Sequence, residues 1–324
     1  MSYGVKQSTP SFVGGGFEIH FGAMPQRRYS LYMLVAIFVL LAFSLSVMLL
    51  KAYALDYAPS PIPVSSTSPA SALATPADTP TPSPAPAVVP ARPVDHSVAL
   101  QAAIDGWVQA HSDHRWGVDV HGLKDDPTHA ASSPDAVSNM ASIYKLLLMY
   151  ALVQKVPRAQ WDTTNITASG KPFTLTACVE AMLLRSDNPC GEAVGSYVGW
   201  SNANKKLVAL GLTNTHLSTG TNGTAGDIGT YLQLLYNGKL FSADDTQYFL
   251  GLMGRQIYRQ GIPAGCSGCT VQDKTGDVGT VRNDAAIVTS GDRAYEVVIM
   301  SNGASYGQIA DLARTIQGVM TTTP

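Results

Sequence analysis

The chain has 324 residues, longer than one ordinary domain of about 100–200 residues, which indicates a globular unit with additional segments. Charged residues make up 14% of it, against about 25% in typical soluble domains, so part of the chain is not the surface of a folded domain. The net charge of -2 provides no global basic field for a nucleic-acid partner. The four cysteines are too few for a disulfide scaffold.

An uncharged stretch of 22 residues covers positions 29–50. At about 1.5 Å per residue, a helix of this length crosses about 30 Å, the thickness of a bilayer core. Arg27 and Arg28 precede the stretch, and Lys51 follows it. The positive-inside rule then predicts a cytoplasmic tail over residues 1–28, a single-pass membrane anchor over 29–50, and an extracytoplasmic location for the remainder.

A cleaved signal peptide is the competing interpretation of the same stretch. Ala52-Tyr53-Ala54 resembles a small-x-small cleavage site. Cleavable apolar regions span about 7–15 residues, and this one is longer, which favours an uncleaved anchor.

A proline-rich segment follows the predicted anchor. Eleven of the 20 prolines fall within residues 59–93, among Ala, Ser and Thr. Proline removes backbone donors and favours polyproline II, so this segment cannot pack a core. We therefore assign residues 51–94 to an extracytoplasmic linker with a reach on the order of 100 Å.

Residues 95–324 have the composition of a globular domain. Hydrophobic periodicity predicts an opening helix over 98–110, a strand over 116–122 and a closing helix over 307–320. The order of helix, strands, helical block, strands and helix predicts an α+β domain whose antiparallel sheet is assembled from both ends of the sequence. The predicted helices of the block are 142–155, 174–184, 191–198 and 228–235. The last two predicted strands, 283–289 and 294–300, form a hairpin across Ser290-Gly291-Asp292.

Ser142-Ile143-Tyr144-Lys145 is the only Ser-x-x-Lys in the chain. On a helix, this spacing places Lys145 one turn from Ser142 on the same face. A desolvated lysine can be neutral enough to take the proton of a serine hydroxyl, which activates the oxygen as a nucleophile. The pattern is weak by itself, because a serine N-cap followed by a surface lysine has the same spacing.

Two further motifs follow in the chain, Ser186-Asp187-Asn188 and Lys274-Thr275-Gly276, and each occurs once. With the Ser-x-x-Lys motif, they make the chain resemble the superfamily of serine β-lactamases and D-alanyl-D-alanine peptidases, and most closely its class A β-lactamase-like branch. The resemblance covers residues 95–324 and extends to 279–284, which is similar to the turn that follows the Lys-Thr-Gly strand. It implies the β-lactamase/transpeptidase-like fold, an antiparallel sheet flanked by terminal helices with a helical subdomain.

The resemblance also implies a role for each motif residue. Ser142 would attack a carbonyl carbon, Lys145 would accept the proton, and Ser186 would pass it to the leaving nitrogen. The backbone N–H groups of Ser142 and Asp277 would form the oxyanion hole. Asp187 would cap local backbone. The implied substrate-binding residues are Asn188, Lys274, Thr275, Gly276 and Asp277, with Arg282 either a second cation for the substrate carboxylate or a solvated residue of the turn.

One departure from the class A enzymes concerns the release of the acyl-enzyme. Those enzymes use a glutamate of an omega loop in a Glu-x-x-Leu-Asn setting. The glutamates of this chain are Glu18, Glu180, Glu192 and Glu296, and none has that setting. Glu180 and Glu192 flank the second motif, where we expect salt-bridge or capping roles for them. The missing base predicts an acyl-enzyme that hydrolyses slowly.

All four cysteines follow the predicted anchor, in the compartment expected to be oxidising. Four cysteines permit three connectivities. We favour Cys178–Cys190, which would join two helices around the second motif, together with Cys266–Cys269 as a tight loop.

We expect no metal and no cofactor, and we attribute His111 and His114 beside Asp113 to a polar helix end. The expected partners are a small-molecule β-lactam or a peptidoglycan stem peptide, and the membrane through one N-terminal helix. We expect no nucleic-acid partner and a monomeric chain. Two alternatives to a β-lactam-acylated hydrolase stay open: a D-alanyl-D-alanine peptidase, and a non-hydrolytic β-lactam or muropeptide sensor.

Overall fold

The computed structural model describes residues 94–218 and 220–322. Its strands are β1 (Arg115–Gly122), β2 (His129–Ser132), β3 (Ser138–Asn139), β4 (Asn165–Ala168), β5 (Lys171–Thr174), β6 (Asn222–Gly223), β7 (Thr270–Val278), β8 (Val281–Ser290) and β9 (Arg293–Asn302). Its helices are α1 (Ser97–Ala110), α2 (Tyr144–Lys155), α3 (Leu175–Leu184), α4 (Asn188–Val198), α5 (Trp200–Ala209), α6 (Ala225–Tyr236), α7 (Ala243–Gly254), α8 (Ile262–Gly265) and α9 (Tyr306–Met320).

A five-stranded antiparallel sheet in the order β2-β1-β9-β8-β7 forms the centre of the domain. Because β1 lies beside β9, the first strand of the domain pairs with the last one, and Val118 lies opposite Ile299. The sheet is therefore assembled from both ends of the sequence, as the order of elements predicts. The turn between β8 and β9 falls at Gly291-Asp292, within the predicted hairpin.

The two faces of the sheet carry separate cores. Trp116, Val118 and Val120 alternate along β1 and pack with α1 and α9 on one face. The indole N–H of Trp107 in α1 donates to Asp311 of α9 over 2.8 Å, which ties the two terminal helices together. On the other face, the helical block around α2 forms a second core, which includes the fully buried Trp161.

The structure adds elements that the hydrophobic pattern does not predict. Only Ala203 and Leu207 of α5 are buried, so its apolar stripe is too narrow to be recognised. Helix α7 begins at a Ser242 N-cap and was not predicted. The β4–β5 hairpin was not predicted either, because each of its strands has only four residues. Three predicted helix starts were wrong. Helices α4 and α6 begin three residues before the predicted positions 191 and 228. Ser142 lies outside α2, in a preceding 3-10 turn over Ala141–Ile143.

None of the helices within the described residues is both long and apolar enough to span a bilayer. The predicted tail over 1–28, the anchor over 29–50 and the linker up to residue 93 lie outside the described residues.

Both favoured disulfides are present. Cys178 of α3 is bonded to Cys190 of α4, with 4.9 Å between the two Cα atoms. Cys266 is bonded to Cys269, and no cysteine is left free in the described chain. The first bond spans the loop that carries Ser186, so it restrains the second motif.

We expect the double variant Cys178→Ala/Cys190→Ala to lower the free energy of unfolding by about 3 kcal/mol, and Cys266→Ala/Cys269→Ala by about 2 kcal/mol. The entropy of the unfolded chain is the reason, because the sequence separations are 12 and 3 residues and a longer closed loop restrains the unfolded chain more. Urea unfolding of both variants under one set of conditions measures the difference. A larger loss from the Cys266–Cys269 pair would contradict this account.

Candidate active site

The 3-10 turn that carries Ser142 is fixed by two asparagines. The Asn139 side chain accepts a hydrogen bond from the Ala141 N–H over 2.7 Å. The amide of Asn283, a buried residue of β8, donates to the Asn139 carbonyl over 2.9 Å. Ala141 has a φ of 47°, a left-handed conformation that non-glycine residues rarely adopt. The asparagines hold this strained backbone and so fix Ser142 in position.

Lys145 is fully buried, and its ammonium donates to three different groups. Its Nζ lies 2.9 Å from Ser142 Oγ, 2.6 Å from the Ser186 carbonyl oxygen and 2.6 Å from Asn188 Oδ1. A lysine has three N–H donors, so these acceptors satisfy all of them. The first two sequence motifs are therefore joined through one buried nitrogen.

Burial lowers the pKa of Lys145 to about 8, against the opposing effect of the carboxylates of Asp187, Glu192 and Asp277. At pH 7, about one Lys145 side chain in ten is then neutral. A neutral amine within hydrogen-bond distance of Ser142 Oγ can accept its proton.

Ser186 lies between two lysines. Its Oγ is 3.0 Å from Lys274 Nζ and 3.4 Å from Lys145 Nζ. Its φ of 58° is left-handed, so this residue is also held in a strained conformation. Asp187 caps α4 by accepting from the Cys190 N–H over 2.9 Å, in agreement with the capping role predicted for it.

Lys274 extends from β7 and is fully buried. Burial and the positive charge of Lys145 lower its pKa to about 7, while Asp273, Asp284 and Asp277 act in the opposite direction. An anionic ligand beside Lys274 would raise that pKa, because it stabilises the ammonium form. The site is thus suited to bind a carboxylate.

Gln256, which follows α7, was not singled out from the sequence, and it supports the third motif from behind. Its Oε1 accepts from Lys274 Nζ over 3.3 Å, from the Thr275 N–H over 3.1 Å and from Thr275 Oγ1 over 3.0 Å. Its Nε2 donates to Asp273 Oδ2 over 2.6 Å, which fixes the orientation of the amide. Neither hydrophobic periodicity nor motif spacing identifies Gln256 in the sequence, because it reaches β7 only through the position of the loop after α7.

Gly276 allows β7 to approach the turn that carries Ser142. A Cβ at this position would lie 2.5 Å from the Met140 carbonyl oxygen and 3.1 Å from the Ser142 nitrogen. Contacts this short are not found for real side chains, so only glycine fits here. The Lys-Thr-Gly motif therefore requires a glycine at position 276, because β7 packs directly against the turn that carries Ser142.

The predicted oxyanion donors face the same space. Strand β7 is an edge strand, and the Thr275 N–H points away from the sheet. The N–H of Asp277, two residues further along an antiparallel strand, points in the same direction. Asp277 lines the cavity together with Ser142, so both predicted donor residues border it.

The cavity over Ser142 has a volume of about 270 Å³. Asn188 and Glu192 of α4 border it, and Tyr144 and Trp200 form an aromatic wall with ring centroids 5.9 Å apart. Its remaining lining residues are Asn139, Ala141, Ser218, Gly220, Thr221 and Val278. Trp200 was not predicted to border this cavity, because the helix that it begins, α5, was not predicted from the sequence.

The two glutamates beside the second motif have different surroundings. Glu192 borders the cavity, whereas Glu180 lies near Tyr248 of α7 and contributes to the raised pKa of that phenol. Within the described residues neither glutamate forms an ion pair, a hydrogen bond or a helix cap. The salt-bridge and capping roles expected for them were therefore wrong, since Asp187 caps α4 and Glu192 is exposed toward the cavity.

Arg282 lies opposite Asp277 in the β7–β8 pairing. Its Nη1 donates to the carbonyl oxygens of Gly279 and Val281 over 2.9 and 2.7 Å. These bonds favour the turn role of Arg282 over the role of a second cation for a carboxylate.

A serine beside a buried lysine, between a Ser-Asp-Asn loop and a Lys-Thr-Gly edge strand, defines the superfamily of serine β-lactamases and penicillin-binding proteins. The model of the beta-lactamase enzyme family matches residues 99–319, and the chain belongs to that family. The family consists of serine hydrolases that work through an acyl-enzyme. A search of the curated proteins finds no match to this chain.

Solved structures share the fold at low sequence identity. The structure of PBP-A is 21% identical, with a TM-score of 0.61 over 71% of this chain and 97% of that one. A beta-lactamase from Sphaerobacter thermophilus is 19% identical, with a TM-score of 0.61 over 70% and 99% of the two chains. The TLA-3 extended-spectrum beta-lactamase is 14% identical, with a TM-score of 0.64 over 70% and 100%. These similarities establish the β-lactamase/transpeptidase-like fold.

Proposed function

We propose that the chain is a hydrolase that β-lactams acylate on Ser142. The observation that carries this proposal is the 2.9 Å contact between Lys145 Nζ and Ser142 Oγ, made by a fully buried lysine. A variant of PBP-A, which shares the fold, is described as an acyl-enzyme complex with penicillin G, which supports penicillins as probes.

The geometry supports a sequence of proton transfers. Ser142 Oγ attacks the β-lactam carbonyl carbon while its proton passes to neutral Lys145. The backbone N–H groups of Ser142 and Asp277 stabilise the oxyanion that forms. Ser186, which lies between the two lysines, then donates its proton to the nitrogen as the C–N bond breaks and takes up the proton held by Lys145, which becomes neutral again.

The substrate is positioned by groups on both sides of the nucleophile. Lys274 and Thr275 bind the carboxylate, and its negative charge keeps Lys274 protonated. Asn188 holds the amide side chain of the substrate, although its Oδ1 accepts from Lys145 in the absence of substrate. Both roles were predicted from the motifs and are part of this proposal.

Ser142 labelling tests the proposal. Full-length protein incubated with benzylpenicillin should gain the mass of one intact penicillin on the peptide that contains Ser142, and Ser142→Ala should gain none. Ser218 borders the same cavity, so Ser218→Ala is the matched control and should be labelled normally. Labelling that persists in Ser142→Ala would refute the assignment. Hydrolysis of a D-alanyl-D-alanine stem peptide by the same serine would favour the peptidase alternative, because penicillin labels such peptidases as well.

The same reaction should depend on pH in a defined direction. Because Lys145 acts as a base in its neutral form, the rate of acylation at saturating penicillin, where the bound carboxylate keeps Lys274 protonated, should rise with pH and level off above about 8. In Lys145→Ala the rate should be about 10²–10⁴-fold lower and the rise should be lost. A wild-type rate that falls between pH 6 and 8 would exclude Lys145 as the base.

We further propose that the acyl-enzyme is long-lived. Among the described residues that line the cavity, Glu192 and Asp277 are the ones with carboxylates, and neither stands in the omega-loop setting of the class A enzymes. A water molecule therefore has no base in the position those enzymes provide.

Steady-state hydrolysis of a chromogenic cephalosporin measures this lifetime. We expect slow turnover with the acylated form dominant by mass spectrometry. A kcat of about 10–10³ s⁻¹, the range of competent enzymes, would contradict the proposal. In that event, loss of turnover in Glu192→Gln but not in Glu180→Gln would assign the base to Glu192, since Glu180 lies toward α7.

We also propose that residues 29–50 anchor the catalytic domain on the extracytoplasmic side of the membrane. The uncharged stretch and the preceding Arg27 and Arg28 support this orientation. The full-length chain should sediment with membranes after an alkaline wash, and a chain that begins at residue 52 should not. Release of the full-length protein by that wash would contradict the proposal.

A further inference from the structure

A second group of ionisable side chains lies at the sheet edge opposite β7. His121 of β1 is paired with His129 of β2 on one side and with Glu296 of β9 on the other. Asp119 precedes His121 by two residues, so its side chain projects from the same face of the strand. Three neighbouring strands thus bring two imidazoles and two carboxylates together.

The distances within this cluster are short. The Nε2 atoms of His129 and His121 lie 3.3 and 3.7 Å from Asp119 Oδ1. One ligand atom from each of these three residues lies within 4.8 Å of the others. Ligands about 2.1 Å from a tetrahedral Zn²⁺ are about 3.4 Å apart, which is close to the two measured separations.

The buried carboxylate of Glu296 also indicates that this part of the sheet needs a positive charge. It is fully buried, and neither of its carboxylate oxygens has a hydrogen-bond partner among the described residues. Gln233 of α6 and Asp119 of β1 both approach the Glu296 carboxylate, but neither makes a hydrogen bond of normal geometry to it. A buried carboxylate without donors is costly and calls for a cation or a proton.

Helix α6 leaves room for these carboxylates where it crosses the strands. A Cβ on Gly229 would lie 2.4 Å from Asp119 Oδ2 and 2.9 Å from Glu296 Oε1. The two carboxyl groups therefore fill the space that a side chain at position 229 would take. Two neighbouring carboxylates repel each other unless something positive lies between or beside them.

We propose that Asp119, His121 and His129 form a binding site for a divalent transition-metal ion of the Zn²⁺ type, with the buried Glu296 carboxylate adding negative charge behind Asp119. Two neutral imidazole nitrogens and one carboxylate are a ligand set that Zn²⁺ accepts in tetrahedral geometry, with water in the fourth position. This proposal departs from the expectation, drawn from the sequence, that the chain binds no metal.

Metal binding requires a small adjustment of the histidines. The rings of His121 and His129 stack with centroids 3.7 Å apart and an angle of 15° between their planes. Imidazole lone pairs lie in the ring plane, so one ring must tilt before both Nε2 atoms face a common point. The His129 side chain is 50% exposed and can make that movement.

The site is separate from the cavity over Ser142. It involves β1, β2 and β9, whereas the third motif lies on β7 at the other edge of the sheet. Its effect is therefore structural: a bound ion crosslinks β1 and β2 and supplies positive charge near the buried Glu296 carboxylate.

Zinc titration of the full-length chain tests the proposal, with protein purified without a polyhistidine tag and treated with EDTA. Calorimetry should detect about one saturable Zn²⁺ site per chain, and Co²⁺ should give the visible absorption of a tetrahedral complex. At a hundredfold excess of free Zn²⁺ over Kd, the Tm should rise by about 5–10 °C.

Four single variants and one double variant complete the test. His121→Ala and His129→Ala should each remove the saturable site, while His114→Ala, a histidine 3.4 Å from Asp113 elsewhere in the domain, should bind Zn²⁺ like the wild type. Glu296→Gln should weaken binding by about tenfold or more and should not lower the Tm in EDTA, since an amide needs no counter-charge. Absence of a saturable site, or its retention in the His121→Ala/His129→Ala double variant, would overturn the proposal and leave a proton shared by Asp119 and Glu296.

Discussion

The burial of the Lys145 ammonium is the constraint on which the candidate active site depends. Removing an ammonium from water costs several kcal/mol unless its donors are satisfied. The acceptors come from the turn that carries Ser142 and from the segment in which Ser186 precedes α4 and Asn188 begins it. A shift of either segment leaves a donor unpaired in a low-dielectric interior, so the two segments hold each other in register. The same burial lowers the pKa of Lys145 and makes it a base near neutral pH. Stability and reactivity are thus set by one buried nitrogen.

The second buried lysine explains why the rest of the site is so extensively hydrogen-bonded. Lys274 and Lys145 both approach Ser186 Oγ, and two ammonium groups so close repel each other. Gln256, together with the buried Asp273 of β7 and Asp284 of β8, offsets that repulsion. The left-handed backbone of Ser186 is a further cost that places its hydroxyl between the lysines. The repulsion between the two ammonium groups and the strained backbone of Ser186 both lower the stability of the fold, and both lie at the site where the reaction takes place.

Much of this arrangement could be predicted from the sequence, because the three motifs combine fixed residue types with fixed spacing. The hairpin of β8 and β9 and both disulfides were also predictable, since their partners are close in the chain. Gln256 and Trp200 could not be predicted, because they reach the site through the positions of α7 and α5. The cluster around Asp119 was missed for a related reason. Strand β2 has only four residues, and without it His129 has no predicted neighbour.

The pairing of β1 with β9 has a consequence for how the domain folds. Strands β7, β8 and β9 follow one another as hairpins, but Val118 must find Ile299 across the whole helical block. Closing so long a loop costs entropy before any contact compensates it, so sheet completion should be slow relative to hairpin formation. Arg293 of β9 also donates to the carbonyl oxygens of Val94 and Met320, which brings the two ends of the domain together. Removing residues from 293 onward would delete none of the three motifs, yet it would remove the central strand and dismantle the site that they form.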